Sequence, residues 1–425
     1  MGVGLLTAGG AAAQMSSIFV QCPTSANGDA IPDPICPADS ITPNCIGNEG
    51  LPNIDYDPDV QCQHIGGGDG FISMSDVTKS AAGDRGTPLY IFSFSELSDT
   101  KTPQEAMDKG RLGAQFPAPT IEIDQGKDFY LTLTNVSMAV RADLFDEHTV
   151  HFHGFPNAAP VFDGVPDNSI SIGMGASLTY FYRLVDEGTY MYHCHVEATE
   201  HMQMGMLGNL YVKAAQNRLP GGTALNDGFT HQTGFEYAYS DGDGSTYYDV
   251  DYPIQIGNFD PNFHHASYLV QPLPFGDMRD LYPMLNGRGY SETIIEAPLS
   301  TDPGTVDGWD VKPETQPMNA LVKASPGEKV LLRVSNLNVT QFNTLTTTLG
   351  IPMQVVGRDA RHLRPENYYK TNSLTLGGGQ SYDVILDIPS DHPTGTYFLY
   401  TTNMYNLSNN EEDFGGMMTE IWVSP

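Results

Sequence analysis

Hydrophobic and polar residues alternate in short runs along most of the chain from about residue 88 onward. A period of two is typical of β-strands with one buried face, and Gly, Pro and Asp separate the runs as turns. The first set of predicted strands covers residues 89–94, 120–123, 129–135, 177–184, 189–195 and 207–212. The second set covers residues 252–258, 330–336, 353–356, 382–388, 396–402 and 419–423. This pattern predicts two antiparallel β-sandwiches.

The segments outside these runs divide the chain further. Residues 1–13 are apolar and end in small residues, as the remnant of a secretory signal would. Residues 14–85 lack periodicity, so we expect an irregular extension there. The two sandwiches are expected at 86–213 and 246–425, joined by a polar, Gly-rich linker at 214–245.

Cysteine usage indicates an oxidising compartment. Cys22, Cys36, Cys45 and Cys62 are an even number in the extension, which suits two disulfides with three possible pairings. Cys194 stands alone far downstream, and metal ligation would explain a single thiol in an exported protein. We therefore expect a periplasmic or extracellular protein. No run of apolar residues is long enough for a membrane span.

The charge balance excludes some partners. Lys and Arg number 20 against 51 Asp and Glu, a formal net charge of −31. A surface this acidic repels phosphate backbones and anionic lipids, so nucleic acid is not an expected ligand. The same field attracts cations, including metal ions.

Six of the twelve histidines lie between positions 148 and 201, in two groups. Alternate residues of a strand share a face, so His151 and His153 point one way and His148 points the other. The second group has the same geometry, with one cysteine between two histidines: His193, Cys194 and His195.

This sorting predicts two metal sites. One face collects two imidazoles, a thiolate and a thioether: His148, His201, Cys194 and Met206. That ligand set is typical of blue copper electron-transfer sites. The other face collects four imidazoles that suit copper which binds oxygen species: His151, His153, His193 and His195. Met202 and Met204 are expected to pack in the interior.

These motifs resemble those of the multicopper oxidases. Residues 89–212 resemble a cupredoxin domain of that family, through His-x-His-Gly and then His-Cys-His with a Gly-Met ending. The turn at 162–166, Phe-Asp-Gly-Val-Pro, is also similar. Residues 250–425 resemble a copper-free cupredoxin domain, through Leu-Asn-Gly-Arg at 285–288 and Val-Gly-Arg-Asp at 356–359. The resemblance implies an all-β protein with two cupredoxin-like Greek-key β-sandwiches and an irregular, disulfide-stapled N-terminal extension.

The resemblance also implies a function. The first ligand set would be a type 1 copper site, and the four imidazoles would furnish half of a type 2/type 3 copper cluster. A reductant, either a metal ion or a phenolic compound, would lose single electrons at the type 1 copper. Dioxygen would be reduced to water at the cluster. Three acids are candidates for proton supply: Asp163, Glu197 and Glu200.

The chain departs from that family in one respect. A complete cluster uses eight imidazoles, and only four stand in the right pattern here. Residues 341–343 (Gln-Phe-Asn) and 397–400 (Tyr-Phe-Leu-Tyr) occupy places where ligands are expected. Either a second copy completes the cluster, with a homotrimer as the first expectation, or the site binds fewer copper ions.

Two other functions stay open. A copper nitrite reductase is one, although His151 stands where those enzymes need a catalytic aspartate. The spacing of seven residues from Cys194 to His201 is longer than in laccases and shorter than in nitrite reductases. A blue-copper electron carrier without an active oxygen site is the other.

Overall fold

Two β-sandwiches follow one another along the chain in the computed structural model. The structure describes residues 20–22, 60–74, 88–301, 305–410 and 412–425. Within these ranges, the helices are all too short or too polar to cross a bilayer. The predicted signal remnant at 1–13 lies outside the described residues.

The first sandwich consists of two four-stranded sheets. Its strands are β1 (Val60–Ser73), β2 (Pro88–Glu96), β3 (Ile121–Asp124), β4 (Asp128–Ser137), β5 (His151–His153), β6 (Ser177–Arg183), β7 (Gly188–His193) and β8 (Leu207–Lys213). One sheet has the order β2-β1-β4-β6, and the other has the order β3-β8-β7-β5. Inward residues such as Phe92, Leu131, Tyr180 and Tyr192 are fully buried between the sheets. The predicted all-β sandwich is confirmed.

Strand β1 differs from the irregular extension expected up to residue 85. It pairs antiparallel with β2 and parallel with β4, at the centre of its sheet. Both faces are buried along most of its length, so the sequence lacks the alternation of a half-exposed strand. Its glycines allow close packing, since a Cβ at Gly67 would lie 2.8 Å from the His148 ring.

A disulfide anchors the start of β1. Cys22 is bonded to Cys62, which selects this pair among the three predicted arrangements. The other two cysteines of the extension, Cys36 and Cys45, lie outside the described residues.

Among the described residues, three short helices connect the strands: α1 (Pro103–Gly110), α2 (Ala198–Met204) and α3 (Pro261–Tyr268). Thr102 caps α1 by accepting a hydrogen bond from the Glu105 amide, and Asp260 caps α3 in the same way. Helix α2 follows β7 directly and ends at Gly205, whose positive φ of 115° stops the helix. It carries His201 beside the end of β7.

The predicted linker at 214–245 is ordered. It contains short 3₁₀ turns at Ala215–Arg218 and Asn226–Gly228 and a hairpin of β9 (Glu236–Tyr237) and β10 (Tyr247–Tyr248). Asp241 organises the hairpin turn by accepting hydrogen bonds from backbone amides, including that of Thr246 at 2.7 Å.

The second sandwich has a seven-stranded and a five-stranded sheet. Its strands are β11 (Val250–Phe259), β12 (Tyr282–Leu285), β13 (Thr305–Val306), β14 (Trp309–Asp310), β15 (Val322–Ala324), β16 (Lys329–Asn336), β17 (Asn343–Thr347), β18 (Met353–Arg358), β19 (Arg361–His362), β20 (Tyr369–Thr371), β21 (Ser373–Leu376), β22 (Gln380–Asp387), β23 (Gly395–Thr401) and β24 (Met418–Val423). The larger sheet has the order β12-β11-β16-β22-β18-β19 with β20 beside β18, and the smaller has the order β15-β24-β23-β17-β21. Strands β13 and β14 form a separate hairpin.

A buried polar network joins the two sandwiches. The Arg333 guanidinium is fully buried, donates to Asp251 at 2.8 Å and lies 3.8 Å from Asp383. Asp383 accepts hydrogen bonds from Thr189 of the first sandwich and from Tyr239, each at 2.6 Å. This network fixes β7 against β16 and β22.

Candidate metal centre

The metal-ligating residue types meet where β5 and β7 pair antiparallel. His151 lies opposite His193, and Phe152 lies opposite Tyr192. Phe152 and Tyr192 are buried in the core, so the alternating histidines face the other way. The pairing therefore brings the two histidine groups together, with His151, His153 and His193 on the face opposite the core, as the strand pattern predicts.

On the core side, three side chains converge around a buried thiol; we call His148, Cys194 and His201 the thiolate site. One ring nitrogen of each histidine and the Cys194 sulfur lie within 4.8 Å of one another, and all three residues are buried. The thiolate accepts hydrogen bonds from His201 Nδ1 at 3.1 Å and from the Thr149 amide at 3.4 Å.

The charges in this site are paired. Burial opposes ionisation of Cys194, but the adjacent His201 and His148 outweigh it and lower the pKa of the thiol to about 5. Burial likewise disfavours a charged His201, yet Cys194 and Asp146 raise the pKa of this imidazole well above its usual value. The site is built to hold a thiolate next to positive charge.

Asp146 is a site residue that sequence reasoning missed. Its Oδ1 accepts a hydrogen bond from His201 Nε2 at 2.9 Å, so His201 Nδ1 is the nitrogen turned to the sulfur. Asn135 holds the segment by donating to the Asp146 carbonyl at 2.6 Å. Asp146 stands two residues before His148, on an irregular segment, so no periodic pattern singles it out.

The three methionines near His201 have different positions. Met206 is fully buried, and its backbone bonds both to the His201 carbonyl at 2.8 Å and to the Cys194 amide at 3.2 Å. Met204 is buried in the core of the first sandwich. Met202 is partly buried and lines the cleft that also contains His151, His153, His193 and His195.

The other face of the β5–β7 pair opens into a cleft of about 550 Å³, which we call the imidazole cleft. Four histidines line it: His151, His153, His193 and His195. One ring nitrogen from each of the first three lies within 4.8 Å of the others. The His195 ring lies beside this group, with its centroid 5.1 Å from that of His151.

Backbone carbonyls orient two of these rings. His151 Nδ1 donates to the Asp163 carbonyl at 2.6 Å, and His193 Nδ1 donates to the Cys194 carbonyl at 2.7 Å. Their Nε2 atoms are therefore free to bind an ion. Burial lowers the pKa of His193 to about 3, and burial with the nearby His151 lowers the pKa of His153. Both shifts favour the neutral form of the ring, which is the form that binds a metal ion.

The second sandwich forms the opposite wall of the cleft. Residues 337–342 and 377–379 line it. Gln341 and Phe342 therefore lie at the cleft, where the family resemblance leads one to expect copper ligands. Asn343 and residues 397–400 lie in β17 and β23 and are not among the lining residues. Gly379 abuts the ligands, since a Cβ there would be 2.5 Å from His153 Nε2.

The predicted proton donors separate in space. Asp163 does not line the cleft itself, but its Oδ1 lies 3.6 Å from Nδ1 of the cleft residue His151. Glu197, just before α2, and Glu200, within α2, are not among the residues that line the cleft either. The charges of His201, Glu197 and Asp146 act on Glu200. Burial raises the pKa of Glu200 to about 7. Proton supply by Asp163, Glu197 and Glu200 stays a prediction.

Two family models match the chain, both described as multicopper oxidase, at residues 101–217 and 279–423. Together they cover more than half of the sequence. L-ascorbate oxidase from Nicotiana tabacum is 25% identical to this chain over 294 residues, which is 68% of this chain and 44% of that protein. The chain thus spans less than half the length of this curated relative.

Solved structures share the fold. The blue copper oxidase from Nitrosomonas europaea superimposes with a TM-score of 0.56 at 19% identity, covering 86% of each chain. The copper nitrite reductase from the same organism gives 0.52 at 15% identity, covering 86% of this chain and 94% of that one. At these identities the likeness concerns the fold alone, and the nitrite reductase is not the better match.

Proposed function

The chain belongs to the multicopper oxidase superfamily, and from this premise we propose that it is a copper-dependent oxidoreductase that transfers electrons from a small reductant to dioxygen. The observation that carries this proposal is the position of Cys194. Its side chain belongs to the thiolate site, while its carbonyl orients His193 in the imidazole cleft. One residue thus connects an electron-accepting site with a site open to small molecules.

The thiolate site fits copper by its donor set and by its unsatisfied atoms. A thiolate with two imidazoles and a thioether is the set that copper electron-transfer sites use, and Met206 is our candidate for the weak fourth ligand. Both ring nitrogens of His148 are buried without a hydrogen-bond partner among the described residues. An unpaired buried imidazole is costly, and an ion between His148, Cys194 and His201 would remove that cost.

The imidazole cleft fits a metal ion as well. The His151, His153 and His193 nitrogens converge, and backbone acceptors orient the rings of His151 and His193. Copper in the two sites would supply one-electron chemistry between a reductant and dioxygen. The protein residues hold the thiol ionised, fix the ring orientations and leave the cleft open to a small acceptor.

The reductant that we propose is a phenol or a reduced metal ion. The formal net charge of −31 attracts cations, which supports metal ions as donors. Asp163 is our candidate for proton supply at the cleft, because it lies beside His151.

Oxygen consumption tests the proposal. Copper-loaded protein is supplied in turn with a phenol, ferrous ion and manganous ion, and dioxygen is followed with an electrode. We expect consumption with at least one donor in wild type and none in Cys194→Ser. Absence of consumption with all three donors would contradict the proposal. Nitric oxide release from nitrite without oxygen would select the reductase, and a blue band with neither activity would select the electron carrier.

We also propose that the protein works outside the cytoplasm. The Cys22–Cys62 disulfide supports this setting, because such bonds persist in oxidising compartments. The homotrimer expected from the sequence stays a prediction, which light scattering of the copper-loaded protein would check.

A further inference from the structure

The supply of imidazoles limits what the cleft can hold. All twelve histidines of the sequence lie within the described residues. The two sites use six of them. Four of the rest are engaged by hydrogen bonds within the chain at one or both ring nitrogens, and a fifth stacks on Tyr239 and bonds to Tyr368: His64, His231, His264, His392 and His362.

His265 is the remaining one, and it is exposed on α3. Outside the two sites, a second copy of the chain therefore has one uncommitted imidazole to offer. The four ligands missing from an eight-histidine cluster cannot come from isolated histidines of a neighbour.

Two clefts placed face to face would bring eight imidazoles together, but the chain's own second sandwich occupies that space. Residues 337–342 and 377–379 form the wall opposite the histidines. The backbone of Gly379 already lies against His153. A second set of rings would therefore have to share the cleft with this wall.

The wall itself supplies no strong copper ligand. Its polar side chains are the amides of Asn338 and Gln341 and the hydroxyl of Thr340. All three donate to the same carboxylate oxygen of Asp280, at 3.1 Å for Asn338 and 2.9 Å for Gln341. Amides and hydroxyls are weak ligands for copper compared with imidazole.

We infer that the cleft holds one copper ion, bound by His151, His153 and His193, with its remaining coordination position open to the cavity. The mutual separations of at most 4.8 Å between the three nitrogens suit one ion. His195 lies outside this trio. The chain then carries two copper ions, one in each site, rather than the four of a complete cluster. This inference rests on the proposed function for the identity of the metal.

Copper counting and spin resonance test the inference on the intact chain. We expect two copper ions and two unpaired spins per chain, since both ions are isolated and paramagnetic when oxidised. His153→Ala should lower both counts by one and keep the blue band. His195→Ala, the matched variant in the same cleft, should keep both counts at two.

A complete cluster would give different numbers. Four copper ions with fewer spins than ions would overturn the inference, because a coupled copper pair has no net spin. Loss of more than one ion in His195→Ala would overturn it as well. The proposed function fails separately: two copper ions with no oxygen consumption leave the inference intact, and four with consumption leave the function intact.

Discussion

The thiolate site and the imidazole cleft share a strand but differ in how they are enclosed. The thiolate site takes all its residues from the first sandwich, and each of them is buried. The cleft takes its histidines from the first sandwich and its opposite wall from the second. A site completed within one domain has its ligand set specified by that domain, whereas a shared site depends on what the other domain contributes. Here the second domain contributes a wall without imidazoles.

Loss of the thiolate has the largest expected effect. Cys194→Ser removes the strong ligand of one site and leaves the cleft histidines unchanged. We expect complete loss of the intense visible band and of oxygen consumption, while one copper ion per chain stays bound. Absorption and copper analysis on the same sample check this. A variant that loses both ions would show that the two sites do not form independently.

Loss of a cleft histidine tests the role of the imidazole cleft. In His193→Ala, oxygen consumption should fall by more than about 100-fold, since changes in outer partners alone cost about 10–100-fold. The blue band should persist, because the thiolate site keeps its ligands. His265→Ala, an exposed histidine outside both sites, is the control and should behave as wild type. Equal losses in both variants would contradict the assignment.

A variant of Asp146 distinguishes the two sites, since this residue contacts the thiolate site through His201 and does not line the cleft. Asp146→Ala removes the acceptor of His201 Nε2. We expect copper affinity there to fall by about 10–100-fold, with no change at the cleft. A chelator titration followed by visible absorption for one site and by spin resonance for the other measures both affinities. Asp143→Ala, which removes an exposed partner of Arg141, should change neither.

The smallest effect concerns His64, a histidine of neither site. Burial, with a smaller contribution from Lys109, lowers the pKa of His64 to about 4. The unfolded chain takes up this proton near pH 6.5, so the folded state loses stability as the pH falls from 6.5 to 4. His64→Gln should remove about 2 kcal/mol of the loss between pH 7 and pH 5. Urea unfolding of metal-free protein at both pH values tests this, and an unchanged pH dependence would contradict it.

Sequence reasoning reached the parts of the site that follow from strand periodicity. The alternation of His151 and His153, and of His193 with Cys194, predicted which side chains share a face, and the β5–β7 pairing places them so. It did not reach Asp146, which approaches His201 from an irregular segment. It also left open the wall of the cleft, because residues 337–342 and 377–379 meet the histidines only through packing of the two sandwiches.

The fold was predictable to a similar extent. The half-buried strands carried a period of two, and the all-β architecture followed from them. Strand β1 was missed because burial on both faces removes the alternation, and its glycines look like turn residues. Position 67 has room only for a glycine because the His148 ring lies over it. This contact joins residues far apart in the sequence, so the local sequence does not show it.

The buried hydrogen bonds that Thr189 makes with the second sandwich make the junction between the sandwiches a poor hinge. Swinging the domains apart would separate Thr189 from Asp383 and leave the buried carboxylate without one of its donors, at a cost of about 1–3 kcal/mol. An opening motion of the two sandwiches would have to break these bonds first. The separation between the two walls of the imidazole cleft is therefore tied to the stability of this junction.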